Sequence, residues 1–151
     1  MTKIIAEKRP TRSTNGFDAS RDSHDEHTPG RLFIVDDDGS FGRSLRRLLN
    51  AKGFPAEYFS SANAFLDSVP FDQKGIAVVD IHMPERDGFW LIDKMQELRY
   101  RMPVIFITGY SEGRSRDRAF QRGARGFLQK PFSQESLLDL IEALEGGGGR
   151  D

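Results

Sequence analysis

Asp80 is the residue of this sequence whose position points most directly to chemistry. It ends the apolar run Ile76–Val79, which is typical of a strand buried on both faces of a parallel sheet. Ligands collect at the carboxyl ends of strands in open α/β sheets. A partly shielded carboxylate there can be a nucleophile that accepts a phosphoryl group. Taken alone, Asp80 is equally well explained as a helix cap or a solvated strand end.

Polar side chains also follow three other apolar runs: Asp36 and Asp37, then Thr108, then Lys130. Crowded carboxylates raise each other's pKa unless a cation joins them, and magnesium prefers such oxygen ligands. The Lys130 ammonium can neutralise a phosphoryl oxygen, and the Thr108 hydroxyl can donate a hydrogen bond to another. If the strands are parallel, these residues lie on one edge of the sheet. The combination then favours phosphoryl transfer.

The elements that would position these residues follow a regular pattern. Strand and helix patterns alternate five times, the strands are apolar, and the connections are too long for hairpins. This predicts an α/β fold with a parallel sheet and helices on both faces. The predicted helix caps are Asp38, Ser60 or Ser61, Asp87 and Ser133. The third helix is predicted to bury Leu91, Met95 and Leu98.

The composition restricts the class of protein. The chain has 151 residues, a net charge of −1 and no cysteine. We therefore expect one domain, no disulfide or thiolate metal site, and no direct binding of nucleic acid or a membrane. No apolar stretch approaches the ~20 residues that span a bilayer, and the N-terminus lacks the apolar core of a signal peptide. A soluble, cytoplasmic protein is expected.

The sequence divides into three segments. Residues 1–30 are polar and rich in helix breakers, so we expect a disordered tail. Residues 31–145 carry the alternating pattern of the globular domain. The glycines within residues 146–151 are expected to end the last helix and to form a tail or the start of a linker. The linker interpretation implies an output domain beyond this chain, whereas the tail interpretation implies a stand-alone regulator.

Five separated signature positions carry a family resemblance. They are occupied by Asp36-Asp37, Asp80 with Met83-Pro84, Thr108, and Lys130-Pro131. With these residues the chain closely resembles the receiver domain of two-component response regulators, from Arg31 to about Leu144. The resemblance implies a flavodoxin-like (βα)5 fold, a doubly wound parallel sheet with strand order 2-1-3-4-5.

The same resemblance implies a role for each site residue. Asp80 is expected to accept a phosphoryl group from the phosphohistidine of a sensor histidine kinase or a histidine phosphotransfer protein. The implied cofactor is Mg²⁺ or Mn²⁺, held by Asp37, Asp80 and the backbone carbonyl of His82, with Asp36 acting through water. Phosphotransfer and later loss of the phosphoryl group would be self-catalysed, so the protein is not expected to be an enzyme in the ordinary sense.

The resemblance also implies a route for the signal. Phe127 falls on the switch aromatic position of the family, three residues before Lys130. Its ring would rotate inward as Thr108 moves toward the phosphoryl group, which changes the face formed by the fourth helix, the fifth strand and the fifth helix. That face would bind a downstream protein or a second copy of the chain. The bond between Lys130 and Pro131 is expected to be cis.

Two features depart from the family pattern. The segment from Ser111 to Arg122 has few apolar residues beyond Ala119 and Phe120, and Gly113 weakens it further. We expect a fourth helix that is short or mobile and that phosphorylation orders. Its arginines form either a docking surface for an acidic partner or a solvated face.

The second departure is the size of two residues that flank the phosphoryl site. His82 and Tyr110 lie two residues after Asp80 and Thr108 and are both bulky. They are expected to restrict water and to prolong the phosphorylated state, although Tyr110 is as well explained as a structural lid. Small residues at both positions should speed dephosphorylation.

Two other functions are compatible with parts of the sequence. The run from Asp36 to Ser40 fits the opening motif of haloacid dehalogenase-type phosphatases, in which Asp36 would be the nucleophile. That family needs a second acidic pair on a later strand, and here only Asp139, Glu142 and Glu145 follow the lysine. A degenerate receiver that acts as an adaptor would have lost signature residues, and all five positions are intact.

Overall fold

The computed structural model describes residues 30–109 and 114–148. Within them, five strands alternate with five helices. In chain order these are β1 (Leu32–Val35), α1 (Gly39–Ala51), β2 (Ala56–Phe59), α2 (Ala62–Ser68), β3 (Ile76–Asp80), α3 (Gly88–Glu97), β4 (Val104–Thr108), α4 (Ser115–Gln121), β5 (Gly126–Gln129) and α5 (Gln134–Gly148). Residues 1–29 of the predicted N-terminal tail, Tyr110 with residues 111–113, and residues 149–151 lie outside the described residues.

All strand pairs in the sheet are parallel, and the strand order is β2-β1-β3-β4-β5. The register pairs Val35 with Val79 and Asp80 with Ile107. The carboxyl ends of the strands therefore reach the same edge of the sheet. The predicted fold class and strand order are confirmed.

The sheet separates two apolar layers. In β4, Phe106 faces the layer that contains α2, α3 and α4, whereas Ile105 faces the layer of α1 and α5. Burial on both faces explains why the central strands carry unbroken apolar runs. The layer of α1 and α5 includes Leu45 and Leu49 from one helix and Leu137, Ile141 and Leu144 from the other.

The helix starts agree with the caps expected from the sequence. In each case a side-chain oxygen accepts a hydrogen bond from the backbone N–H three residues later, at 2.8–3.2 Å. The four capping residues are Asp38, Ser61, Asp87 and Ser133. Each cap satisfies a backbone donor that the first turn of a helix leaves unpaired.

One local prediction is wrong. Leu98 does not continue the buried stripe of α3, and 47% of its surface is exposed, because the helix ends at Glu97 and the chain reverses at Arg99 with φ of 70°. Helix α5 ends at Gly148, within the run of glycines that was expected to end it.

No helix within the described residues is long and apolar enough to cross a membrane.

Candidate functional site

The polar residues singled out in the sequence meet at the carboxyl edge of the sheet. Asp80 and Thr108 are the last residues of β3 and β4. Asp36 and Lys130 directly follow β1 and β5. Asp36, Asp80 and Thr108 are buried, and Asp37 is exposed. The edge is thus a buried polar cluster with one carboxylate open to solvent.

Three carboxylates form the acidic part of this cluster. Asp36, Asp37 and Asp80 each offer an oxygen atom, and these atoms all lie within 4.8 Å of one another. Like charges at this distance repel unless a cation neutralises them. Hard oxygen donors with one solvent-facing member suit Mg²⁺ or Mn²⁺, which keep some of their water ligands. The residues present therefore fit the implied metal.

Lys130 supplies the positive charge of the cluster. Its Nζ atom lies 2.8 Å from Oδ2 of Asp36 and 3.8 Å from Oδ2 of Asp80. The backbone N–H of Lys130 donates a hydrogen bond of 2.7 Å to the carbonyl of Thr108, which ties the ends of β4 and β5 together. The bond between Lys130 and Pro131 is cis. One ammonium thus reaches two carboxylates that belong to different strands.

The environment of Asp80 raises its pKa from 3.8 to about 6. The largest cause is burial, and the negative charge of Asp36 adds to it. Lys130 and the backbone N–H of His82 act in the opposite direction, the latter by donating a hydrogen bond of 3.3 Å to Oδ1 of Asp80. At neutral pH the Asp80 carboxylate is therefore ionised, and nearby positive charge neutralises it only in part. Such a carboxylate attracts a cation.

Asp36 is held by contacts that the sequence did not reveal. Its Oδ1 accepts a hydrogen bond of 2.9 Å from the backbone N–H of Asp38, and its backbone carbonyl accepts one of 2.6 Å from the Tyr58 hydroxyl. The Tyr58 ring lies so close to α1 that a Cβ atom on Gly42 would come within 2.1 Å of it. The sequence signal for this close approach of the Tyr58 ring to α1 was Gly42, a glycine inside an amphipathic helix pattern.

The expected switch residue, Phe127, lies within β5, two residues before that strand ends. It is half-buried in β5, and the guanidinium of Arg116 lies over its ring at 5.9 Å and over the ring of Phe120 at 5.3 Å. His82 is exposed and follows β3. No described contact joins Phe127 to Asp80 directly. Tyr110, the other predicted flanking residue, lies outside the described residues.

The fourth helix is short, as its sequence predicts, with seven residues. Its arginines are not simply solvated. The guanidinium groups of Arg118 and Arg122 lie over the ring of Phe89 at 4.5 and 5.2 Å. Arg122 also forms an ion pair with Asp93 of α3. These side chains attach α4 to its neighbour.

The acidic residues that follow Lys130 test the alternative function as a haloacid dehalogenase-type phosphatase. In the described part of the chain, β5 is followed by helix α5 and not by a further strand. Asp139 and Glu142 are exposed on that helix. They do not contribute to the carboxyl edge, so the second acidic pair that this alternative requires is not formed by the described residues.

Comparison with known proteins gives consistent matches. Residues 32–142 match the response regulator receiver domain family. The chain is 35% identical over 116 residues to the transcriptional regulatory protein FixJ of Bradyrhizobium diazoefficiens, which covers 77% of this chain and 57% of FixJ. It is 36% identical over 112 residues to the response regulator protein TodT of Pseudomonas putida, covering 74% of this chain and 49% of TodT. The chain thus spans about half the length of these curated relatives.

Solved structures match over most of the described fold. The crystal structure of FixJ-N has a TM-score of 0.72 at 32% identity and covers 78% of this chain and 94% of that one. A CheY-like receiver domain protein from Methanospirillum hungatei has a TM-score of 0.74 at 27% identity, covering 81% of this chain and 98% of that one.

Proposed function

Because this chain belongs to the response regulator receiver domain family, we propose that Asp80 accepts a phosphoryl group from the phosphohistidine of a sensor kinase or a phosphotransfer protein. The single observation that supports this most strongly is the geometry of the carboxyl edge. There a buried carboxylate lies within reach of two other carboxylates and 3.8 Å from an ammonium. No structural role for Asp80 requires that combination.

The proposed transfer is a direct displacement at phosphorus. A carboxylate oxygen of Asp80 attacks, the new O–P bond forms, and the N–P bond to the donor imidazole breaks. The donor ring leaves as neutral imidazole when its other nitrogen carries a proton, and the electron pair of the N–P bond stays on the departing nitrogen. The protein's part in such a reaction is positioning and charge stabilisation.

Each neighbour of Asp80 has a defined task in this proposal. Lys130 neutralises a phosphoryl oxygen, and the Thr108 hydroxyl donates a hydrogen bond to another. Asp36, Asp37 and Asp80, with the backbone carbonyl of His82, would hold Mg²⁺ or Mn²⁺. When bound, the metal supplies positive charge that offsets the phosphoryl oxygens and the crowded carboxylates. The loss of the phosphoryl group by hydrolysis is proposed to use the same site.

We further propose that the signal leaves through α4, β5 and α5. Thr108 ends the strand next to β5, and Phe127 pairs in register with Phe106 of that same strand. A shift of Thr108 toward the phosphoryl group would leave space for the Phe127 ring to move inward, with Arg116 as its present neighbour. The changed face would bind a downstream protein or a second copy of this chain.

Labelling by a small phosphodonor tests the central assignment. The full chain is incubated with acetyl phosphate and Mg²⁺, and the phosphorylated fraction is measured by intact mass spectrometry. We expect labelling of the wild type, none of the Asp80→Asn variant, and normal labelling of an Asp67→Asn control, since Asp67 is exposed on α2. A label that persists in Asp80→Asn, or a wild type that is never labelled, would contradict the proposal.

A further inference from the structure

Phe41 occupies an unexpected place beside the acceptor residues. It lies in the first turn of α1, and sequence periodicity assigns it only to the apolar face of that helix. In the structure the Nζ atom of Lys130 lies 4.0 Å from the centroid of the Phe41 ring. The same Nζ atom contacts Oδ2 of Asp36 at 2.8 Å. The ammonium therefore contacts a carboxylate and an aromatic ring at the same time.

We propose that Phe41 is a positioning residue that holds the Lys130 ammonium at the acceptor site by a cation–π contact. This inference rests on the proposed phosphorylation of Asp80. A lysine side chain has four flexible carbons and loses much rotamer freedom when its end is fixed. The electron-rich ring face attracts an ammonium that lies within about 6 Å of its centroid. The contact therefore offsets part of the entropy that Lys130 loses.

The Phe41 ring is itself fixed from two sides. The backbone N–H of Phe41 donates to the capping carboxylate of Asp38 at 3.2 Å, which anchors the first turn of α1. The ring packs edge-to-face on Phe132, with centroids 6.1 Å apart and planes at 83°. Phe132 follows Lys130 by two residues. The aromatic pair thus connects the start of α1 to the segment that carries the lysine.

The burial of these groups strengthens the effect of the contact. The Lys130 side chain is only 18% exposed, and Asp36 is completely buried. Electrostatic attraction is stronger where water is largely excluded, and cation–π contacts gain when the cation is desolvated. An apolar side chain without a π system would fill the space beside the ammonium but would not attract it.

Substitutions that separate ring volume from the π face test this role. In the acetyl phosphate assay with the full chain and Mg²⁺, Phe41→Leu is expected to slow labelling of Asp80 about three- to tenfold. Phe41→Trp, which keeps an aromatic face, should label at close to the wild-type rate. Phe54→Leu is the matched control, because Phe54 packs against the same apolar cluster at the other end of α1. It should leave the rate unchanged.

A double-mutant cycle distinguishes positioning through Lys130 from a general packing effect. If Phe41 acts through the ammonium, Phe41→Leu should not slow labelling further in a Lys130→Met background. An equal slowing in both backgrounds, or a Phe41→Leu variant that labels at the wild-type rate, would overturn the inference. If the wild type itself is not labelled, the proposed phosphorylation of Asp80 fails instead.

Nuclear magnetic resonance gives a test that does not depend on labelling. In the wild-type chain, the ring current of Phe41 should move the ε-methylene protons of Lys130 upfield. The Phe41→Leu variant should lose this shift, and the Phe54→Leu variant should keep it. Unshifted Lys130 resonances in the wild type would refute the contact even if a Phe41 variant failed to fold.

Discussion

Two regions of this domain carry many charges and use them differently. The first is the acceptor edge, formed by Asp36, Asp37, Asp80, Thr108 and Lys130. The second is the arginine face of α4, formed by Arg116 and Arg118 of the helix and by Arg122 directly after it. At the acceptor edge, buried carboxylates lie close together with a single ammonium among them. On the arginine face, Arg116 lies over the exposed ring of Phe120, and Arg118 and Arg122 lie over the buried ring of Phe89.

This difference explains which of the two regions keeps incompletely neutralised charge in the folded protein. A rigid sheet holds the acceptor edge, so its negative charges cannot move apart, and the pKa of Asp80 rises as a result of burial and of Asp36. The arginines reach their rings through long, flexible stems that also cover apolar surface. Charge at the acceptor edge is therefore available for chemistry, whereas charge on α4 serves to attach a helix that has few apolar residues.

The strongest test of this comparison is to disturb the rigid packing at the acceptor edge. A Cβ atom on Gly88 would lie 2.8 Å from the backbone carbonyl oxygen of Asp80 and 2.9 Å from Cα of Ile81. Because these are backbone atoms, they cannot yield as a side-chain end would. We expect Gly88→Ala to lower the free energy of unfolding by about 2–3 kcal/mol, measured by urea denaturation.

Gly146→Ala is the control for that substitution. Gly146 lies within α5, and a Cβ atom there would meet nothing within 4 Å. The added methyl group should raise the free energy of unfolding by roughly 0.5–1 kcal/mol through helix propensity. Equal effects of the two substitutions would mean that the acceptor edge is not tightly packed against α3.

Asp80→Asn tests whether the negative charge of Asp80 at the acceptor edge lowers the free energy of unfolding. A carboxyl whose pKa is about 6 when folded and 3.8 when unfolded binds more protons in the folded state between these values. The favourable contribution of this carboxyl group to the free energy of unfolding is complete below pH 3.8. It is lost as the pH rises through about 6. In the absence of divalent cations at pH 7.5, Asp80→Asn should therefore be more stable by about 2 kcal/mol.

The pH dependence provides the internal control for this variant. The difference in free energy of unfolding between Asp80→Asn and the wild type should grow from pH 4 to pH 7, since Asp80 is the titrating group that the substitution removes. Thermal unfolding in EDTA at several pH values measures it. A difference that is constant over this range would show that burial of Asp80 carries no electrostatic cost.

The smallest effect is expected on the arginine face. Arg118→Ala removes the guanidinium that lies 4.5 Å from the centroid of Phe89. We expect a loss of about 1 kcal/mol that loosens α4 locally. Amide hydrogen exchange should become faster in α4 and stay unchanged in β3.

Arg114→Ala is the matched control, because Arg114 is exposed at the start of α4 and its side chain makes no capping hydrogen bond. It should leave the exchange rates in α4 close to those of the wild type. If Arg118→Ala also leaves them unchanged, the arginines are solvated, as one interpretation of the sequence had it.

Much of this fold could be predicted because its signals are local. The apolar runs, the capping residues and the alternation of strand and helix each lie within a few adjacent residues. They were sufficient for the parallel sheet and its helices, and the family resemblance supplied the strand order. The position of Leu98 was misjudged because the end of a helix depends on where the chain reverses.

The contacts around the acceptor residues were harder to predict because they join residues far apart in the chain. Tyr58 and Gly42 belong to different elements and meet only after β2 pairs with β1. Phe41 and Lys130 are likewise brought together by folding. An arginine-rich helix gives no sequence signal that distinguishes a solvated face from stacking on a ring of another helix.

The sequence by itself determined that carboxylates, a hydroxyl and an ammonium stand at the ends of apolar strands, because strand ends are marked by local changes in polarity. Only the tertiary structure decided how these groups act on one another. The pKa of Asp80, the ion pair between Lys130 and Asp36, and the contact of Lys130 with Phe41 depend on distances of a few ångströms between separate elements. Such distances are fixed by the packing of the helices on the sheet, which no local pattern encodes.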